Sequence, residues 1–494
     1  MKPNPDFHPI LDPRLRLNRR HFFGRNATGI GTAALASLLN REGLLGSSLK
    51  TNSTVGMPGL PELPHYASKA KRIIYLFQNG APTHVDLFDH KPGIKPMHGK
   101  PVPESYFKGK RFSTMTGDPS GKLMLSPVEP FQQRGQSGAW VSDLLPHTAK
   151  MADDLCFVKS MHTDAVNHAP AISFFLSGSE MPGRPAIGSW LTYGLGNDNA
   201  DLPSYVVMTS VSKNTTCGQI FYDFYWGSGF LPSRFQGVKF RGGGDPVLYL
   251  SNPDGMSKEV RRGMLDDIAA LNEMKLRSAG DPEIDTRISQ YEMAFRMQAS
   301  VPELADISKE PEHVLKLYGP NVGKQGSFAR NCLLARRLAE RDVRFIQLFH
   351  MGWDQHDKLK ETLSRQCGDT EQPVAGLIKD LKQRGLLKDT LVVWGGEFGR
   401  TTYAQKPGNA AGRDHHPGCF TQMLAGAGVR GGHVHGATDD YCYNVTQDPV
   451  HVHDLNATLM HLLGVDHKRL TFKFQGRDYR LTDVHGQVVK KILT

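Results

Sequence analysis

The sequence predicts an α/β protein whose mostly parallel sheet is covered by helices on both faces and carries a helical insertion. Three observations predict it. Short apolar runs rich in β-branched and aromatic residues recur at 71–77, 205–208, 343–349 and 390–394, each the length of a buried strand. Helical patterns at 327–341 and 372–384 separate the later runs, and a strand–loop–helix–strand order builds parallel sheets with both faces covered. Polar loops carrying His, Asp and Glu follow the strands, where open α/β sheets place their ligands.

Taken in order, residues 1–45 read as a twin-arginine export signal. Asn18-Arg19-Arg20-His21-Phe22-Phe23 sets paired arginines before aromatics, an apolar stretch follows, and Ala34-Leu35-Ala36 offers a small-x-small cleavage pattern. The expectation is a periplasmic or otherwise extracytoplasmic protein. Residues 46–68, rich in Ser, Thr, Gly and Pro, read as a linker, and 69–494 as the domain. The strand at 71–77 leads into a polar loop holding His84, Asp86 and Asp89. Residues 92–122 form a Gly-, Pro- and Lys-rich excursion. Residues 155–158 are a further strand, and 169–176 open a helix behind the polar segment that ends at His168. An insertion occupies about 210–325, helical from about 256 to 310 where charged and apolar residues alternate at helical spacing.

The 494 residues are 39% hydrophobic and 22% charged, ordinary for a folded globular chain. No run of eighteen apolar residues occurs, so the mature chain is expected to have no membrane span. The net charge of +10 is no nucleic-acid signature, since residues 1–50 hold eight Lys/Arg and three Asp/Glu and so supply +5 of it. The other basic residues are scattered. Six cysteines without a CxxC pair exclude a thiolate zinc site of ordinary spacing; export would permit one or two disulfides.

The chemistry concentrates in three segments within about sixty residues. Gly352-Trp353-Asp354-Gln355-His356 follows a strand, with the glycine allowing a tight exit. Glu397 ends a strand behind Gly395-Gly396, and a buried carboxylate is costly unless paired or metal-bound. In Asp414-His415-His416, adjacent histidines can point to opposite sides, one to a metal and one to substrate. Imidazole and carboxylate together hold divalent metals, which predicts one site formed by Asp354, His356, Glu397, Asp414, His415 and His416, with His84 and Asp86 as second-rank ligands. The ion expected is divalent: zinc, calcium, magnesium or manganese. Arg400 and Arg413 flank these residues; either can clamp an oxyanion or brace the carboxylates.

These segments resemble a family. The run from Thr390 to Gly399 is similar to the strand and metal-binding segment of sulfatases and the wider alkaline-phosphatase-like superfamily, with Glu397 on a metal-binding Asp and Phe398 on the following His or Asn. The twin-arginine start, Gly80 to Asp89, the 352–356 and 397–400 segments, Asp414-His415-His416-Pro417 and Gly476-Arg477-Asp478 together resemble the exported sulfatase-like family called domain of unknown function 1501. The resemblance implies an alkaline-phosphatase-like sheet and a metal-dependent hydrolase of sulfate or phosphate esters, on a small molecule or polysaccharide. The chain departs from the sulfatase pattern where it matters for reaction. His168 stands at the nucleophile position, Ile172 replaces the usual Arg, and Gln78 and Asn79 replace paired aspartates. His168 or Asn167 is then a candidate ligand or base, with metal-bound water expected to attack directly and Thr163 as an alternative hydroxyl nucleophile. The rival expectations are a non-catalytic metal- or polysaccharide-binding protein and a structural metalloprotein on the same fold.

Overall fold

A nine-stranded sheet frames the protein. The computed structural model describes residues 57–108, 117–211, 221–242, 246–247, 251–253, 255–406, 408 and 410–494. The expected export signal and the first part of the expected linker lie outside these residues. In chain order the strands are β1 (Arg72–Asn79), β2 (Leu155–His162), β3 (Tyr205–Val211), β4 (Val238–Phe240), β5 (Phe345–Met351), β6 (Thr390–Gly395), β7 (Phe420–Ala425), β8 (His433–His435) and β9 (Val450–His451). They lie in the order β8-β2-β7-β6-β1-β5-β3-β4, with β9 also paired to β2. Every pairing is parallel except those of β7, which runs antiparallel to both β2 and β6.

β1, β5 and β6 are buried along their whole length, which is why each reads as an unbroken apolar run rather than an alternating one. Ile73, Tyr75 and Phe77 of β1 join one core with α1 (His168–Ser177), α2 (Ile187–Leu195) and a C-terminal helix, Val452–Leu462. Ile74 and Leu76 point to the other face by strand alternation. α3 (Phe328–Ala339) packs on β1, β3 and β5 and against α4 (Leu359–Gln383). Ser327 caps α3 by accepting from the Arg330 N–H at 3.0 Å. α4 begins well before the expected 372 and runs straight through Pro373, because Leu359, Leu363, Cys367, Val374 and Leu377 keep a buried stripe at helical spacing.

Residues 57–68, expected as linker, are docked: Leu60 N–H donates to Gly194 O at 2.8 Å and His65 N–H to Gly464 O at 2.9 Å. β4 falls inside the expected insertion and belongs to the main sheet. Residues Ser251–Phe295 belong to a second compact unit. There the helix Lys258–Ala279 is capped by Ser257 and ends at Gly280, and Arg262 pairs with Glu292 at 2.5 Å on the following helix. Among the described residues Cys156, Cys332, Cys367, Cys419 and Cys442 are buried thiols outside any disulfide. Among the described residues no helix is long and apolar enough to cross a membrane.

Candidate metal centre

The parallel strands β1, β5 and β6 end side by side, and their exit loops meet backbone to backbone. Gly80 follows β1 at φ +107°, and a Cβ there would lie 2.6 Å from the Asp354 nitrogen, so only glycine lets these two loops touch. After β5, Gly352 turns the chain at φ +126°. Trp353 is then held by its indole N–H on Gln78 Oε1 at 2.8 Å, which fixes where Asp354 and His356 emerge. After β6, a Cβ on Gly396 would lie 2.7 Å from Gln78 O, so Glu397 is delivered against the first loop. The Gly80 N–H donates to Glu397 Oε1 at 3.0 Å.

A ribbon of Gly399–Ala404 with Arg413–His416 crosses this junction. His415 and Arg400 are register partners on it, so their side chains share a face. Both reach Asp354 Oδ1, Arg400 Nη2 at 2.5 Å and His415 Nε2 at 3.5 Å. His356 Nε2 lies 2.8 Å from the same oxygen and 3.0 Å from His415 Nε2. His168, the first residue of α1, brings Nε2 to 3.2 Å from it. His168, Asp354, His356 and His415 thus offer ligand atoms that all lie within 4.8 Å of one another.

Two of the three imidazoles are oriented through their other nitrogen. His168 Nδ1 is 2.6 Å from Glu397 Oε1, and His415 Nδ1 is 2.8 Å from Val166 O. An oxygen acceptor at each Nδ1 holds a proton there and turns Nε2 into the cluster, the arrangement found behind metal-bound histidines. Phe398 stacks on His168 with ring centroids 5.0 Å apart and lies 4.8 Å from the His415 ring, closing the apolar side. Glu397 Oε2 and His356 Nδ1 are buried without a hydrogen-bond partner.

Burial alone would raise the Asp354 carboxyl, but Arg400, and then His168, His356 and His415, hold it well below the usual carboxylate range. Burial pushes the His415 imidazole down to about 3 against the pull of Asp354. For His168 burial also acts downward, but Asp354 and Glu397 outweigh it and raise the imidazole. A divalent ion fits this donor set. Ligand bonds of about 2.1 Å at tetrahedral angles put donors about 3.4 Å apart; the separations from Asp354 Oδ1 run from 2.8 to 3.5 Å, and all four ligand atoms lie within 4.8 Å of one another.

The structure does not bring the other expected residues into the group. Asp86 takes Arg413 in a fully buried bidentate pair, Nε to Oδ2 at 2.6 Å and Nη2 to Oδ1 at 3.0 Å, and also accepts from Thr83. His84 Nε2 lies 3.0 Å from Cys442 O and 3.4 Å from the Cys419 thiol. His416 does face away from His415, but toward Tyr443, whose carbonyl is 2.6 Å from Nε2 and whose ring stacks on it. Asp414 accepts the His415 N–H at 2.9 Å. Arg400, expected as an oxyanion clamp, is only 1% exposed and spends its donors on Gly80 O, Ala81 O, Arg413 O and Asp354. Thr163 is buried and its hydroxyl has no partner. Gln355, Gln366 and Gln422, which the sequence reading passed over, fasten the loops by donating to Gly352 O, Met351 O and Gly396 O at 2.9, 3.1 and 2.8 Å. Gln422 alone carried a signal, a polar side chain inside an apolar run; Gln355 and Gln366 sit in polar stretches that carry none.

Residues 70–493 match the sequence family described as protein of unknown function (DUF1501). The chain belongs to that family. No match exists among curated proteins. Solved structures similar to this DUF1501 chain include the PsFucS1 sulfatase from Pseudoalteromonas sp., 11% identical over 88% of this chain and 71% of that one, TM-score 0.32. A second is the phosphonate monoester hydrolase SpPMH from Silicibacter pomeroyi, 12% identical over 71% of each chain, TM-score 0.29. A third is a His 135 Glu mutant of TAB5 alkaline phosphatase with Mg bound, 9% identical over 83% of this chain and 98% of that one, TM-score 0.31. TM-scores this low leave the chemistry to be read from the residues themselves.

Proposed function

We propose that this DUF1501 protein is an exported, metal-dependent hydrolase of sulfate or phosphate esters, with His168, Asp354, His356 and His415 as the metal ligands. The observation that carries this reading is the convergence of four ligand atoms within 4.8 Å, two of the imidazoles oriented by oxygens at Nδ1. Three imidazoles and one carboxylate favour a transition ion such as zinc or manganese over calcium or magnesium, which prefer oxygen. Glu397 then orients His168 rather than binding the ion, and Arg400 is a positioning residue for Asp354. Such an ion supplies Lewis acidity toward an ester oxygen and acidifies a water.

The protein's own residues define the rest. His356, 29% exposed, and His168, 12% exposed, form the accessible side of the cluster, beside the exposed Asn167 and Asp357. An ester oxygen would approach there, while Phe398 and the backbone of β1 and β6 keep water from the opposite side. With His168 and His356 both committed as ligands through Nε2, neither imidazole is left to deprotonate an attacking water.

A non-catalytic metal-binding protein is the second reading. It is favoured by the composition of the cluster, which holds imidazole, carboxylate and guanidinium but no hydroxyl or thiol nucleophile. Elemental analysis of purified protein beside a His415→Ala variant tests the centre first. About one divalent ion per chain, lost in the variant, is expected. Hydrolysis of p-nitrophenyl sulfate or phosphate that is abolished by chelation supports the hydrolase, and metal without turnover on a broad ester panel leaves the binding protein. No metal after reconstitution overturns both.

A further inference from the structure

A two-stranded ribbon near the C-terminus, Phe472–Phe474 with Arg477–Tyr479, turns through Gln475 and Gly476 at φ +49° and +83°. Its register pairs Phe472 with Tyr479 and Phe474 with Arg477, so these four side chains share one face. Lys473 and Asp478 take the other. Phe230 lies against the aromatic face, nearly parallel to Phe474 at 5.0 Å and to Phe472 at 6.0 Å, and 4.9 Å from Tyr479. All four rings are only half-buried.

Two guanidinium groups lie over the Tyr479 ring, Arg477 at 4.7 Å and Arg184 at 5.5 Å. Asp483 bonds one nitrogen of each and leaves their other N–H groups at the surface, Arg477 being 51% exposed. Arg480 donates to the Asp483 carbonyl. Two arginines therefore share a single carboxylate beside the half-buried rings, and a third holds the same residue by its backbone. Fastening a ribbon needs apolar contact alone, whereas half-exposed rings rimmed by cations mark a surface that takes an anionic, partly apolar ligand.

We propose that this face docks an anionic polysaccharide. Arg184 and Arg477 take sulfate or carboxylate groups through forked hydrogen bonds, and the exposed parts of the rings give the chain apolar contact without stacking. A single-stranded nucleic acid fits less well, because base stacking needs an open ring face, and here Phe230 lies against Phe472 and Phe474 while the arginines cover Tyr479. The surface requires nothing of the metal centre and stands whether or not that centre is catalytic.

The test is binding of the intact protein to dextran sulfate, neutral dextran and a single-stranded oligonucleotide at about 150 mM salt, where long-range attraction to a basic protein is screened. The expected result is binding of dextran sulfate only, weakened about tenfold or more by Arg184→Ala/Arg477→Ala and by Phe474→Ser. Lys473→Ala, on the opposite face, should leave it unchanged. Thermal unfolding checks that each variant is folded; should Phe474→Ser fail to fold, the arginine pair decides. Dextran sulfate binding that is indifferent to the arginine pair, or oligonucleotide binding that depends on it, overturns the proposal.

Discussion

Arg400 and His415 face each other across the ribbon and reach the same oxygen of Asp354. One strand pairing thereby sets both the guanidinium that stabilises the carboxylate and an imidazole that faces the same oxygen. Arg400 also ties Gly80 O and Ala81 O, so it locks the β1 exit to the carboxylate. Replacing it by Lys keeps a charge and loses the fork. Arg400→Lys should weaken zinc or manganese affinity about 10- to 100-fold, as loss of a group that orients a ligand does. Isothermal titration measures it, and an unchanged affinity would mean Asp354 is set by other contacts.

Asp86 and Arg413 should matter for stability rather than for the ion. Both side chains are fully buried, and Arg413 also donates to Leu125 O and Thr401 O, so either partner left alone is an uncompensated buried charge. Arg413→Ala and Asp86→Ala should each cost about 3–5 kcal/mol in denaturant unfolding. Metal stoichiometry should stay at the wild-type value under conditions where the variants remain folded. A variant that folds normally yet loses the ion would put this pair back in the centre.

This division could not be read along the chain. The strands at 71–77, 343–349 and 390–394 were legible because burial on both faces demands unbroken apolar runs, and Asp354 and His356 were legible as polar residues just past such a run. β7 was not, since Thr421 and Gln422 interrupt its apolar pattern, and Gln422 is buried only because it donates to Gly396 O. Nor was the retirement of His84, Asp86 and His416. Each is engaged by a partner on a distant segment, Cys442 O for His84 Nε2, Arg413 for Asp86 and Tyr443 O for His416, and local spacing carries no trace of those contacts. The link from His168 to Glu397 spans 229 residues and is visible only once α1 and β6 are neighbours.

Gly412 supplies a prediction about geometry. A Cβ there would lie 2.1 Å from the carbonyl carbon of His356 and 2.4 Å from the Asp357 nitrogen, both backbone atoms that cannot swing aside. Gly412→Ala must therefore push the 352–357 loop or the ribbon away from each other. The expected outcome is a folded protein with weakened metal binding and a stability loss of about 1–3 kcal/mol. Full metal affinity in this variant would show that the loop and ribbon need not touch.

His350, inside β5, gives the acid limb of stability. Burial pushes its imidazole down from 6.5 to about 3, so the folded state keeps it neutral where the unfolded chain protonates it. Between those values the unfolded state binds the extra proton, and stability falls as pH falls from about 6.5 toward 3. The contribution is complete above 6.5 and its slope approaches about 1.4 kcal/mol per pH unit. His350 Nδ1 lies 2.9 Å from the Ser210 hydroxyl; His350→Gln keeps a polar group for Ser210 and should flatten the acid limb by one proton in urea unfolding measured across that window. An unaltered slope would mean His350 is not held neutral.

Metal binding should itself release a proton. Without the ion, Asp354 and Glu397 raise the His168 imidazole despite its burial, so it keeps its second proton to higher pH than an ordinary histidine. An ion that takes Nε2 must displace that proton, and below the His168 pKa affinity should drop about tenfold per pH unit. The sign follows from the direction of the shift: a raised imidazole competes with the ion over more of the range, so affinity climbs with pH until His168 is neutral. Glu397→Gln removes one of the two charges that raise His168, so proton competition should begin at lower pH. The same change weakens the hydrogen bond that orients the ring, lowering the plateau affinity about tenfold. Titrations in two buffers of different ionisation enthalpy count the released protons directly. Equal heats in both buffers, with wild-type protein at a pH where His168 is charged, would exclude His168 from the ligand set and leave Asp354, His356 and His415 to hold the ion.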